Sequence, residues 1–435
     1  MAKDLPKGTR LKSMLEIDIV IDKKLGEGGQ GYVYKIDYGG QPKALKIYKG
    51  DKIRNPKAFY KNLKNNVSNG APSASFLWPT DMLKWDGHTF GYVMDLRPPE
   101  YVELVEFMNS KKPVHFESFK AAVTAALEMT AAFRILHSKG YSYQDLSDGN
   151  FFINPLNGKV LICDNDNVSE YGQNTGILGT PQYMAPEIVR GEAKPSTFTD
   201  RFSLAVVIFI LLTMSHPLEG RRFLCDLLES EKEQIIYGSE PIFILDPTDR
   251  RNPPVKDIHK NIGRVWPELP DYVKDMFIKQ FSKEIMMSPQ RRATESDWQN
   301  MLIQFRSDIV RCTNCRGENF SHNEANPVCS GCGKALPIQR HLKLSGVTYK
   351  MPISVGNVVY RSQFGPSNVD VAGNPVLSVR THPKDPRALV LQNISGIELR
   401  ATKPDGSRVL LKDRSAITNE AGTIIEAFGG NATIV

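Results

Sequence analysis

At 435 residues the chain is longer than one hydrophobic core usually serves, so two or three domains are expected. Its 41% hydrophobic content is enough for packed cores, and a formal charge of +7 is too mild to demand nucleic acid as a partner. No basic, apolar, small-residue leader opens it, and no apolar run reaches the roughly 18 residues of a membrane span, so a cytoplasmic protein with no membrane or nucleic-acid partner is expected.

Residues 16–48 alternate apolar and polar in the manner of strands, interrupted by the glycine cluster of Leu25-Gly26-Glu27-Gly28-Gly29-Gln30-Gly31-Tyr32-Val33. Glycines at this spacing let backbone N–H groups approach phosphate oxygens, although a glycine-rich hairpin turn reads the same. The strand pattern of Tyr32–Lys35 rules against a dinucleotide fold, which needs a helix there. Fifteen positions beyond Gly31 lies Lys46, ending Ala44-Leu45-Lys46, where an ammonium could neutralise phosphates or simply sit on the surface. A helix is expected over Pro56–Ser68, with Phe59, Leu63 and Val67 inward, and an alternating stretch surrounds Phe90–Leu96.

From residue 116 to about 310 helical spacing dominates: Phe119, Val123, Leu127 and Phe133 first, then the apolar run Phe202–Thr213, which fits a buried helix. Inside this half, Tyr143-Gln144-Asp145 is followed five positions after the aspartate by Asn150, then by the strand-like Phe151-Phe152-Ile153 and, after Val160–Cys163, by Asp164. One carboxylate to accept a hydroxyl proton, with an amide and a second carboxylate for a hard cation, are the parts phosphoryl transfer requires; singly, each could be a turn residue.

Together with Gly179-Thr180-Pro-Gln-Tyr-Met-Ala-Pro-Glu187, Asp200 and Arg292, these ordered motifs resemble the eukaryotic-type protein kinases over about residues 16–305. The resemblance implies an ATP-dependent protein serine/threonine kinase. In it Lys46 clamps the phosphates, Asp145 orients and deprotonates the acceptor hydroxyl, and Asn150 and Asp164 hold Mg²⁺ or Mn²⁺. It further implies a nucleotide site of Leu25, Gly26, Glu27, Gly28, Gly29, Gln30, Gly31, Val33, Ala44 and Lys46, with the hinge Met94, Asp95 and Leu96. Asp200 would brace the catalytic loop, Glu187 would pair with Arg292, and Thr180 points to serine or threonine as acceptor.

The chain also departs from the family. Gln144 replaces the arginine that grips an activation-loop phosphate, so gating by loop phosphorylation is not expected, and Ser147 replaces a common lysine. Asn62 stands where the helix would carry the glutamate partner of Lys46. Asn165 and Asp166 follow Asp164 in place of phenylalanine and glycine. A polar contact between Asn62 and Asn165 is the expected compensation, while Asp166 reads either as an extra metal carboxylate or as a turn residue.

Cys312-x-x-Cys315 and Cys329-x-x-Cys332, thirteen residues apart, have the spacing of a four-thiolate structural Zn²⁺ site. His322 between them is expected on the surface, and Cys163 and Cys225 as small buried hydrophobes. From about residue 342, short alternating runs separated by turns such as Pro404-Asp405-Gly406 read as all-β. This tail loosely resembles a forkhead-associated sandwich. It could dock a partner or read phosphothreonine through Ser378 and Arg380.

The expected fold is therefore α+β: a bilobal kinase fold (residues 1–96 and 97–310), a zinc ribbon (311–341) and a small all-β forkhead-associated-like domain (342–435). This combination is similar to bacterial kinases of tellurite-resistance-associated triads, which implies a von Willebrand factor A protein as substrate and a metal-dependent phosphatase as partner. A small-molecule phosphotransferase of the aminoglycoside-kinase type and a catalytically weak scaffold are the competing readings.

Overall fold

Alternation along Gln41–Tyr48 sends Leu45 and Ile47 to one face of a sheet and Ala44, Lys46 and Tyr48 to the other. In the computed structural model, which describes residues 4–49, 53, 55–85, 90–108, 111, 114–170, 179–321, 327–365 and 373–435, this strand lies inside a six-stranded antiparallel sheet. The order is Arg10–Lys12, Asp18–Glu27, Gly31–Tyr38, Gln41–Tyr48, Gly91–Asp95 and Asp81–Met82. One face buries Ile19, Ile21, Tyr34, Ile36, Leu45, Ile47 and Val93. The other packs Ala44, Tyr48, Tyr92 and Met94 against Phe59 and Leu63 of the helix Pro56–Asn69. Each of those two helix side chains contributes about 1.5–3 kcal/mol by leaving water. Asn55 caps the helix, accepting from the Ala58 N–H at 3.2 Å, and Pro56 opens it where no amide donor is needed.

The chain forms two compact units. The first takes residues 1–117, 135–263 and 278–294. Besides the sheet it holds the hairpin Phe151–Ile153 and Val160–Ile162 and the helix Thr197–Thr213, whose Phe202–Thr213 run is buried throughout as its apolar composition predicts. Cys163 is buried as expected, but Cys225 is exposed, on a surface turn where Leu224, Leu227 and Leu228 are exposed too.

The second unit takes residues 118–134, 264–277 and 295–435. Helix Glu295–Asp308 runs straight into the strand Ile309–Arg311, which pairs with Glu318–Phe320, and the first cysteine pair lies between these two strands. Beyond it, two antiparallel sheets of six and four strands enclose one core. That core includes Leu342, Met351, Val359, Leu377, Leu391, Ile425 and Ile434. The predicted turn Pro404-Asp405-Gly406 joins Leu399–Thr402 to Arg408–Leu411, with Gly406 at φ +84°. The buried Asn357 ties the unit together: its amide donates to Ser307 O at 2.8 Å and Pro352 O at 2.9 Å, and its oxygen accepts from Lys120 Nζ at 2.6 Å.

Ser378 and Arg380 both fall within the strand Pro375–His382, Ser378 buried and Arg380 exposed. They do not present a loop pair of the kind the phosphothreonine reading requires. His322 lies outside the described residues.

Candidate active site

Register brings the nucleotide-site candidates together. Gly26 pairs with Val33, Val33 with Lys46 and Ala44 with Met94, across four neighbouring strands. Ala44 and Met94 are buried, Leu25 is half-exposed, and Asp95 is exposed and ion-paired with Lys43. A Cβ added at Gly26, Gly28 or Gly29 would meet no atom within 4 Å, and none of the three has a positive φ. Neither packing nor backbone strain within the chain demands glycine there. Gly31 differs: a Cβ would lie 2.2 Å from Ile47 O, so the contact with the next strand alone requires glycine. The side chain of Glu27 is taken by Lys49 at 2.6 Å and Lys24 at 2.9 Å.

Lys46 points from the sheet to the segment 164–166, donating to Asp164 Oδ1 at 3.2 Å and Asp166 Oδ2 at 2.8 Å. Burial opposes its charge, but the two carboxylates more than offset that and hold the ammonium's pKa above its usual value. Asp145 lies in the same electrostatic cluster. Burial first, then the Asp164 and Asp166 charges, push its pKa up to about 6, against a smaller opposing effect of Lys46. Asp164 and Gln144 both have left-handed backbones, φ +53° and +74°, which cost free energy and mark the segments around them as over-determined by their surroundings.

The loop is braced from beneath. Asp200 accepts from the Tyr143 N–H at 2.6 Å and the Gln144 N–H at 3.1 Å, and lies 3.1 Å from His137 Nε2. Arg292 grips Glu187 with two parallel bonds of 2.8 and 2.6 Å in the interior. Gly179, at φ +101°, has Asp145 Oδ1 3.5 Å from where its Cβ would be, which sets the Thr180 segment beside the Asp145 carboxylate. Asn150 Oδ1 accepts from the Ser147 N–H and hydroxyl, both at 2.7 Å, so that oxygen is occupied by the loop itself, while the Asp164 side chain is 47% exposed. The oxygen donors Asp164 and Asn150 suit a hard divalent cation.

The helix offers Lys46 no glutamate, as the sequence indicates, and Asp166 supplies a carboxylate from outside it. Asp166 sits in the turn Asn165–Asn167, one of its two readings, with its side chain fully buried. One expectation needs correction. Asn62 and Asn165 do not bond to each other: Asn62 Nδ2 donates to the carbonyls of Asp166 (3.3 Å) and Val168 (2.9 Å), and Asn165 Nδ2 donates to those of Leu77 and Ile162, both at 2.9 Å. Backbone carbonyls outcompeted the side-chain pairing because they are buried and must be satisfied. Sequence reasoning also missed Tyr48, whose hydroxyl donates to Asp166; its position two residues beyond Lys46, on the same strand face, was the available signal.

A family model described as protein kinase domain matches residues 19–301, more than half of the sequence. The chain belongs to the protein kinase domain family. This kinase domain is similar to a probable serine/threonine-protein kinase, gdt4, of Dictyostelium discoideum, 27% identical over 225 residues, which covers 48% of this chain and 13% of that protein. It is also similar to the probable serine/threonine-protein kinase PknB of Corynebacterium glutamicum, 24% identical over 247 residues (53% of this chain, 37% of the relative). With PknB of Mycobacterium tuberculosis it shares 25% identity over 192 residues (41% and 29%). The chain thus spans well under half the length of each of these relatives.

In the second unit, the sulfurs of Cys312, Cys315, Cys329 and Cys332 all lie within 4.8 Å of one another, with Cys312–Cys332 at 3.7 Å and Cys315–Cys329 at 3.4 Å. Sulfurs bound to a tetrahedral ion at about 2.3 Å stand about 3.8 Å apart, so four soft thiolates in this arrangement fit zinc. No helix among the described residues is long and apolar enough to cross a membrane.

Proposed function

We propose that the chain is a protein serine/threonine kinase that transfers the γ-phosphoryl of metal-bound ATP to a protein hydroxyl. The observation that carries this reading is the meeting of Lys46 with Asp164 at 3.2 Å, across 118 positions of sequence, beside a catalytic-loop aspartate with a raised pKa. ATP with its divalent cation would supply the phosphoryl group and neutralise charge on it. The open glycine loop Gly26–Gly29 gives the phosphates N–H groups, Lys46 gives them a cation, and Ala44 and Met94 give the base an apolar floor. Asp164 is the available cation ligand, with Asn150 next to it. Asp145, ionised at neutral pH yet more basic than an ordinary aspartate, can take the acceptor's proton.

The segment Gly179–Glu187, held by Arg292 and lying beside Asp145, favours a peptide over a small-molecule acceptor. The neutral Gln144 in the loop favours activity without activation-loop phosphorylation. The four cysteines are proposed as a structural zinc ribbon over 311–341. The two-sheet module 342–435 is proposed as a forkhead-associated-like docking domain, following the kinase lobes 1–96 and 97–310. The same combination supports a von Willebrand factor A protein as substrate and a metal-dependent phosphatase as its counterpart.

The test is incorporation of labelled γ-phosphate into protein, followed by phosphoamino-acid analysis. Label on phosphoserine or phosphothreonine that disappears in Asp145→Asn supports the reading. Label that enters an aminoglycoside and no protein, or that survives Asp145→Asn, refutes it.

A further inference from the structure

Lys46 is an almost wholly buried cation, with 6% of its side chain exposed, and such a charge is tolerated only when paired. The helix packed against it, Pro56–Asn69, contains no acidic residue at all. Two carboxylates from a single turn meet the ammonium instead, and they are not equivalent. The Asp164 side chain is 47% exposed, whereas that of Asp166 is 0% exposed and takes a second hydrogen bond from the Tyr48 hydroxyl. Lys46 and Tyr48 are neighbours on one strand face, so the Asp166 carboxylate is held by two groups of fixed spacing.

We propose that Asp166 is the positioning residue for Lys46 in phosphoryl transfer: a permanent buried counter-ion that frees Asp164 to leave the ammonium for a cation. The inference rests on the kinase reading and deepens it. The lysine is set by the turn Asn165–Asn167 and not by a charge on the helix. Among the described residues the helix is fastened to the same turn through neutral groups, with Asn62 and Asn66 donating to the carbonyls of Asp166 and Val168 at 2.9–3.3 Å. Further along, Gln144 donates to the Ser142 hydroxyl at 3.2 Å and to that of Ser169. Shifting the helix would break neutral hydrogen bonds and leave the Lys46 pair intact. Lys46 is thereby held without a carboxylate from the helix.

The experiment compares kcat and KM for ATP, with Mg²⁺ and with Mn²⁺, in the full chain and in Asp166→Asn, Asp166→Asn with Asn62→Glu, and Tyr48→Phe. Asp166→Asn is expected to lower kcat/KM for ATP roughly tenfold or more. Asn62→Glu in the same background should recover several-fold by returning a carboxylate to Lys46 from the helix, a rescue that a purely structural role would not give. Tyr48→Phe, which preserves the fold's aromatic packing, should raise KM for ATP roughly two- to fivefold, and it carries the question if Asp166→Asn does not fold.

Unchanged kinetics in Asp166→Asn, or in Tyr48→Phe where the former is unfolded, overturn the proposal. So does a loss without rescue accompanied by an altered Mg²⁺/Mn²⁺ preference, which would make Asp166 a metal ligand through Oδ1, the buried oxygen that has no hydrogen-bond partner among the described residues. Absence of γ-phosphate transfer by the unmodified chain refutes the kinase reading itself, and is thus distinguishable.

Discussion

Replacing Lys120 by methionine should flatten the pH dependence of the second unit's stability. Lys120 Nζ donates to the buried Asn357, and burial first, then the Arg306 cation, lower its pKa from the usual 10.5 to about 7, against a smaller opposing effect of Glu318. Between pH 7 and 10.5 the unfolded chain therefore holds a proton that the folded chain has shed. Stability rises with pH across that window and is lowest below pH 7. The limiting slope is about 1.4 kcal/mol per pH unit. Because Lys120 keeps partial contact with solvent, roughly half of that is expected, about 1–1.5 kcal/mol between pH 7 and 9. Urea unfolding at pH 7, 8 and 9, read by hydrogen exchange in peptides of Glu295–Asp308, measures it. Lys120→Met also removes a hydrogen bond to Asn357 and so displaces the whole curve, which makes the slope the readout. Equal slopes in the two proteins would refute the argument.

Two glycines separate folding from ligand binding. Gly31→Ala should destabilise the first unit, since its Cβ would lie 2.2 Å from Ile47 O, whereas Gly28→Ala should leave the melting temperature unchanged and raise KM for ATP. Arg292→Met leaves Glu187 buried and unpaired and should cost about 3–5 kcal/mol, visible as a lowered melting temperature. Elemental analysis should find one zinc per chain, and chelation or Cys312→Ser should increase proteolysis within 311–341. A metal-free chain with unaltered proteolysis would remove the zinc assignment.

The order of the motifs was enough to read the kinase domain, because phosphoryl transfer needs a lysine, an aspartate and cation ligands in loops whose spacing the sheet and helices fix. The burial of Phe59 and Leu63, the helix Thr197–Thr213 and the two-sheet tail were likewise legible, since apolar periodicity reports which face leaves water. The cysteine spacing pointed to a metal site for a similar reason: four thiolates close in sequence need only two turns to converge. What pairs with what was not legible. Asn62 and Asn165 looked complementary in the sequence, yet each found a buried carbonyl, because any amide can satisfy any acceptor and only the packed backbone decides which lies within reach. Asp166 looked like a turn residue or a metal ligand. Its role depends on the strand Gln41–Tyr48 placing Lys46 and Tyr48 against it from some 120 residues away, and long-range electrostatic complementarity of that kind leaves no local pattern. Ser378 failed for the converse reason: the residue type suited a binding loop, but strand register turned it into the core.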